Sequence, residues 1–146
     1  MVLSRTKKPL KVFIDSSVLI AAAISPSGAG REVINQGFTQ QLELYISADV
    51  LEETERNLKL KAPQALIYFH KFCESLAITV VKPARTQILK AAKIIESKDV
   101  PIIAGAMKSK ADFLVSYDRR HILLRKDEIE KEFSIKVATP DEVMKL

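Results

Sequence analysis

The stretch KVFIDSSVLIAAAISP, residues 11–26, decides the fold. Val12, Phe13 and Ile14 form an unbroken apolar run, as expected of a short strand covered on both faces, and the run halts at Asp15. Ser16 and Ser17 can accept hydrogen bonds from the amides of a first helical turn, so either can cap a helix beginning there. The segment SVLIAAAI is apolar over its whole length and is bounded by Pro26, Gly28 and Gly30, which reads as a buried helix closing in a turn. A buried strand that hands over at once to a buried helix opens an α/β unit.

The same grammar repeats outward from this segment. A short helix is expected over Arg31 to Gln36, and LELYIS alternates as a strand ending at Ser47, again a serine before helix formers. From Asp49 to about Lys61, Val50, Leu51, Thr54 and Leu58 recur at intervals of three and four, giving a helix with one apolar stripe that Pro63 interrupts. Leu66, Phe69, Phe72, Cys73 and Leu76 continue the helical period, and ITVV is a brief strand stopped by Pro83. Another helix is expected over Thr86 to Glu96. A further one begins near Asp99, since the missing amide of Pro101 would be unpaired in a first turn anyway. DFLVS reads as a fourth strand, YDRRHI as the turn beyond it, and FSIKVAT as a fifth strand before a terminal PDEVMKL helix turn.

Strands alternating with helices imply an α/β class fold. Parallel neighbours need crossover connections, so the expected architecture is a three-layer α/β/α sandwich with a mainly parallel, about five-stranded sheet. No internal repeat, low-complexity tract or linker divides the chain. Residues 1–10 are read as a basic lead-in and 11–146 as a single domain, a size that buries roughly 70% of its unfolded surface. An apolar content of 47% with 28% charged residues excludes bulk disorder. The lone cysteine, Cys73, excludes an intrachain disulfide and is expected to be a buried, inert thiol in a reducing compartment. No apolar run approaches the ~18 residues of a membrane span, and no apolar stretch of the secretory kind comes after the basic start. Cytoplasmic residence is expected. The net charge of +5 favours a polyanionic partner such as nucleic acid, although a solubilising surface has the same composition.

In an open parallel sheet, reacting groups gather beyond the carboxyl ends of the strands. Asp15 directly ends KVFI and Asp118 comes directly after DFLVSY, so two carboxylates can approach at one edge. Each aspartate also has an ordinary reading as a helix or turn cap, and the two uses can coexist.

Together, VFIDSSVLIAAAISP, ISADVLEETERNL and DVPIIAGAMKSKADFLVSYDRRHIL resemble the PIN-domain family, in particular compact prokaryotic members that are toxin components of toxin–antitoxin pairs. The likeness spans most of the chain. It implies that Asp15 is the family's first aspartate, with Ser16 as the hydroxyl residue beside it. Glu53 takes the place of the helical glutamate in preference to Glu52, because its spacing from Ser47, Val50 and Leu51 meets the family pattern. Asp99 is the next acid, with Glu96 three residues earlier at a position of secondary importance. Asp118 is the last acid, and Ser116 stands where the family has Thr or Ser. Tyr117 departs from the glycine often found before that aspartate. Should the tyrosine displace it, Asp15, Glu53 and Asp99 would carry the metal and Asp118 would orient a water.

Carboxylates held close together repel unless protons or cations neutralise them. Oxygen ligands favour Mg²⁺ or Mn²⁺ over zinc, and Cys73 and the separated His70 and His121 offer no soft-ligand alternative. The implied activity is metal-dependent in-line hydrolysis of RNA, single-stranded or looped, through Asp15, Glu53, Asp99 and Asp118. It needs no covalent enzyme intermediate, and by the resemblance its products end in 5′-phosphate and 3′-hydroxyl. Arg119 and Arg120 are candidates for contacting substrate phosphates, with Arg31, Lys59, Lys61, Lys108 and Lys110 as an extended basic rim. His121 is either a general acid or a tie in a surface turn. His70 shares the row of Phe69, Phe72 and Cys73 and is expected to be a partly buried structural residue. The resemblance also implies a homodimer or higher oligomer and, for a toxin, an antitoxin partner that occludes the acids. The competing readings are a non-catalytic PIN-like module that binds RNA or protein, and an RNA-processing nuclease unrelated to toxicity.

Overall fold

The computed structural model describes residues 8–75 and 77–146. Most of the expected lead-in, residues 1–7, and Leu76 of the expected helical row lie outside the described residues. The elements are β1 (Leu10–Ile14), α1 (Ser16–Ile24), α2 (Ala29–Phe38), β2 (Leu42–Ser47), α3 (Ala48–Lys61), α4 (Leu66–Glu74) and β3 (Ile78–Val81). After these come α5 (Arg85–Ala92), α6 (Val100–Lys108), β4 (Phe113–Val115), α7 (Lys126–Phe133), β5 (Lys136–Ala138) and α8 (Pro140–Met144). The five strands form one sheet in the order β3-β2-β1-β4-β5, and every pairing is parallel.

Crossovers between parallel strands are right-handed, so the direction of travel across the sheet decides which face a connecting helix covers. From β1 to β3 the chain moves outward one way, and α2 lies on β2, packed with α1 and α8. From β3 it returns to the far side of β1. α6 therefore lies on the opposite face against β1 and β2, with α5 beside it and α7 against β5. The result is a three-layer α/β/α sandwich. Val12, Phe13 and Ile14 of the central strand are fully buried, as their unbroken apolar run implies.

Alternation along β1 sorts its side chains between the two layers. Phe13 faces α6, where a Cβ added at Gly105 would stand 2.6 Å from the ring's Cε2 and Cζ. Only a residue without a side chain lets α6 come this close to the strand. That approach fixes the start of α6, and with it Asp99, over the carboxyl edge of the sheet.

Four expectations are corrected. The helix expected to reach Glu96 ends at Ala92, where the Ile94 and Ile95 amides fold back onto the Ala91 carbonyl and carry Ile95 into the core. Helix α7 was not expected, because KDEIEKEF buries only Ile129 and so has almost no apolar stripe. His70 is exposed rather than partly buried, 4.0 Å from Glu55. Cys73 is half-buried rather than buried, although burial, and after it the charges of Glu55 and Glu74, pushes its thiol up to about 11 and keeps it unreactive. Among the described residues no helix is long and apolar enough to cross a membrane.

Candidate active site

The strand order reverses at β1 and β4. The segments leaving these two neighbours diverge and open a crevice at their carboxyl ends, the place where such sheets bind ligands. Asp15 leaves β1 here, its amide donating to the Val115 carbonyl of β4 at 3.1 Å. A cavity of about 360 Å³ occupies the crevice, and Asp15, Glu53, Asp99 and Asp118 all line it. Ile20 and Ile102 supply apolar wall.

Asp15 is only 3% exposed and is the N-cap of α1, a role the sequence left open to it as well as to Ser16 and Ser17. Its Oδ1 accepts the Ser16 amide at 2.7 Å and the Ser16 hydroxyl at 3.4 Å. Its Oδ2 accepts Ser17 Oγ at 2.9 Å and Ser116 Oγ at 2.7 Å. Burial raises the Asp15 pKa, these three serines draw it down, and Asp118 raises it again; the net direction is upward. Capping and membership of the acid cavity thus coincide in one carboxylate.

Ser116 is fully buried and joins two of the acids. While its hydroxyl donates to Asp15, its oxygen accepts the Asp118 amide at 2.9 Å. Ser17 makes the parallel stitch from α1, accepting the Tyr117 amide at 3.0 Å. The sequence pattern pairs only Ser16 with Asp15, and two serines in succession give no means of telling which reaches β4. Tyr117 does not displace Asp118. No described residue near it has a positive φ, so its backbone does not require glycine. Its ring turns away from the acids: burial and then the Asp141 carboxylate raise its hydroxyl pKa, with the Gly30 amide opposing them.

Asp118 Oδ1 accepts the amides of Arg120 at 3.1 Å and His121 at 3.0 Å, and its Oδ2 lies 3.3 Å from His121 Nδ1. Asp99 is buried at the N-cap of α6, yet its side chain makes no capping hydrogen bond. Burial raises its pKa most, Lys98 and His121 lower it, and Asp118 and Asp15 raise it further. Glu53 projects from the second turn of α3, whose start is fixed by Ser47 Oγ accepting the Val50 amide at 3.3 Å. Asn57, one turn further on, donates to the Glu53 carbonyl at 2.8 Å and lines the same cavity. Glu52 is exposed and borders a separate surface depression with Glu55 and Lys59.

The remaining sequence candidates lie elsewhere. Glu96 is exposed outside the cavity, and Arg119 and Arg120 are exposed and do not line it. Arg31 is not on a basic rim: its Nε donates to the Ala22 carbonyl at 2.6 Å, and its guanidinium lies over the Tyr68 and Phe72 rings. Lys59 pairs with Glu55 at 3.3 Å. Lys108 and Lys110 stand at the opposite end of α6 from Asp99, about 13 Å along a nine-residue helix. The cation that does line the cavity is Lys98, which carried no pattern in the sequence.

Among the described residues, no three His, Cys, Asp or Glu side chains converge tightly enough to form a metal-holding group. The donors available are nevertheless those of a hard cation: four carboxylates and serine hydroxyls, with no thiol or thioether. Mg²⁺ keeps several waters and takes one or two carboxylates directly, so a three-carboxylate cage is not required for it.

A PIN-domain family profile matches residues 11–120. Among solved structures, VapBC2 from Rickettsia felis, bound to a DNA fragment from its promoter, is similar with a TM-score of 0.63 at 12% identity, over 89% of this chain and 98% of that one. FitAcB from Neisseria gonorrhoeae is similar with a TM-score of 0.53 at 16% identity, over 88% of this chain and 97% of that one. No curated protein matches the chain.

Proposed function

The chain belongs to the PIN-domain family, and from that premise we propose that it is a Mg²⁺- or Mn²⁺-dependent ribonuclease whose site is Asp15, Glu53, Asp99 and Asp118. The observation that carries this reading is the gathering of all four acids, drawn from separate segments of the chain, on one cavity at the topological switch point. A cap or a surface charge requires no such gathering. In the raised pKa values of Asp15 and Asp99, repulsion among these acids adds to burial, the situation a bound cation relieves.

Asp15, Glu53, Asp99 and Asp118 would hold the ion. The chemistry it supplies when bound is Lewis-acid polarisation of the phosphodiester and stabilisation of the departing oxygen. The chain's own residues orient and position. Ser16, Ser17 and Ser116 fix both oxygens of Asp15, so its carboxylate is held before substrate arrives. Ser116 also sets the Asp118 backbone against Asp15, and the Arg120 and His121 amides hold the Asp118 carboxylate. Arg119 and Arg120, exposed beside Asp118, attract the phosphate backbone from outside the cavity. Ser16 and Ser116 support the acids; Glu96, out on the surface, has at most an indirect part. RNA is the substrate. By the resemblance, an antitoxin and further copies of this chain are its protein partners.

The absence of a tight three-ligand group among the described residues favours a second reading, a binding module of the same fold without turnover. Incubation of a labelled single-stranded RNA with Mg²⁺, Mn²⁺ or EDTA separates the two. The enzyme cleaves only with the ion and leaves 5′-phosphate ends, whereas RNA that stays intact with both ions favours the binding module.

A further inference from the structure

Among the described residues, Lys98 is the only basic side chain lining the acid cavity. A lysine in such company ordinarily pairs with a carboxylate, yet the Lys98 ammonium forms no ion pair among the described residues. It meets His121 Nε2 instead, at 2.7 Å. An ammonium has donors only, so in this contact Lys98 Nζ donates. The other ring nitrogen, Nδ1, lies 3.3 Å from Asp118 Oδ2. The ammonium is therefore anchored through the imidazole to the last acid and forms no ion pair of its own among the described residues.

A cavity walled by four carboxylates repels a polyanion, and one fixed cation at its lining gives the local field a point of attraction. The charge stands at the lining itself: Lys98 is next to Asp99 in the chain and borders the cavity with it. Arg119 and Arg120 lie outside the lining and cannot do the same at this point. We propose that Lys98, steered by His121, binds a backbone phosphate of single-stranded RNA and so seats the strand across the four acids. This inference rests on the ribonuclease reading and adds a substrate-binding residue, Lys98, and a positioning residue, His121.

The test is binding of a fluorescent single-stranded oligoribonucleotide in EDTA over a series of salt concentrations, and then steady-state cleavage with Mg²⁺. Lys98→Gln should weaken binding about tenfold at low salt and reduce the slope of log K against log salt by about 0.7, the value for one phosphate contact on a single strand. Its cleavage should show KM raised about tenfold with kcat within about twofold, because ground-state and transition-state binding are lost together. Lys98→Arg keeps the charge and should keep the slope. His121→Ala leaves the Lys98 charge in place and should keep most of the slope, while raising KM. Wild-type affinity and slope in Lys98→Gln would overturn the inference and leave the ribonuclease reading standing. Equal loss of slope in Lys98→Arg would overturn it as well, by assigning the effect to structure. A wild type that neither binds nor cleaves RNA would overturn both.

Discussion

Ser116→Ala removes a single oxygen from a residue with no solvent exposure, and that oxygen serves two acids at once. Asp15 loses a hydrogen bond of 2.7 Å to its charged carboxylate, the kind that contributes about 1.5–3 kcal/mol. The Asp118 amide loses its acceptor at 2.9 Å; leaving a buried donor unpaired costs about 1–3 kcal/mol, and the partial exposure of Asp118 points to the lower end. Asp15 retains Ser17 and the Ser16 amide, so the carboxylate is weakened but not stripped. The expected destabilisation is about 2–4 kcal/mol, against about 0.5 kcal/mol for an ordinary surface change. Because the bond is stronger to the ionised carboxylate, the loss should shrink as Asp15 protonates in acid. Urea unfolding in EDTA at neutral and acidic pH measures this, and Mg²⁺ titration of the folded variant should show weakened affinity. A neutral-pH loss under about 0.5 kcal/mol, with unchanged ion affinity, would refute the role given to Ser116.

Glu53→Gln should lower the cleavage rate about tenfold or more, while Glu52→Gln should stay within about twofold, since only Glu53 lines the cavity; equal losses would mean that the α3 face is wrongly assigned. Gly105→Ala places a methyl 2.6 Å from the Phe13 ring. Overpacking of about 1–3 kcal/mol then competes with about 1 kcal/mol gained in helix propensity, so the variant should lose up to about 2 kcal/mol and bind ions more weakly as α6 shifts. A higher urea midpoint than wild type would contradict that close approach. The folded-state pKa of Asp15 lies above its ordinary 3.8, so the fold holds its proton more tightly than the unfolded chain does. In EDTA, wild-type stability relative to Asp15→Asn should accordingly fall as pH rises from about 3.8 through that raised value. A relative gain in the same window would reverse the assigned sign.

The strands were legible because burial on both faces leaves an unbroken apolar run, and the run over Val12, Phe13 and Ile14 is the central strand. Helix starts were legible where a capping residue marks them, as Ser47 does for α3. The end of α5 was not, because Ile94 and Ile95 keep a helical rhythm that the chain abandons to reach the start of α6. At the site, Asp15 and Asp118 stood out by their places after strands, with a cap reading left open for each, while Glu53 and Asp99 came only from the family resemblance. Lys98 was not: an exposed lysine between Ser97 and Asp99 has no periodicity, and only the fold brings His121 to it. Arg31 was misplaced for the opposite reason, since its charge suggested a rim while the α1 carbonyls and two aromatic rings hold it in the structure.

Asp15→Asn, unfolded beside wild type in EDTA and again in saturating Mg²⁺ or Mn²⁺, with RNA cleavage measured on the same preparations, tests the proposal of a four-acid metal site most directly. Removing a buried charge from the acid cavity should make the variant as stable as wild type or more so in EDTA, by up to ~1 kcal/mol. The ion should reverse that order, because a ligand bound more tightly by wild type stabilises wild type more. Cleavage should appear in wild type with the ion and be absent from the variant. If the ion stabilises both proteins equally and both cleave RNA equally, Asp15 is not part of a catalytic metal site.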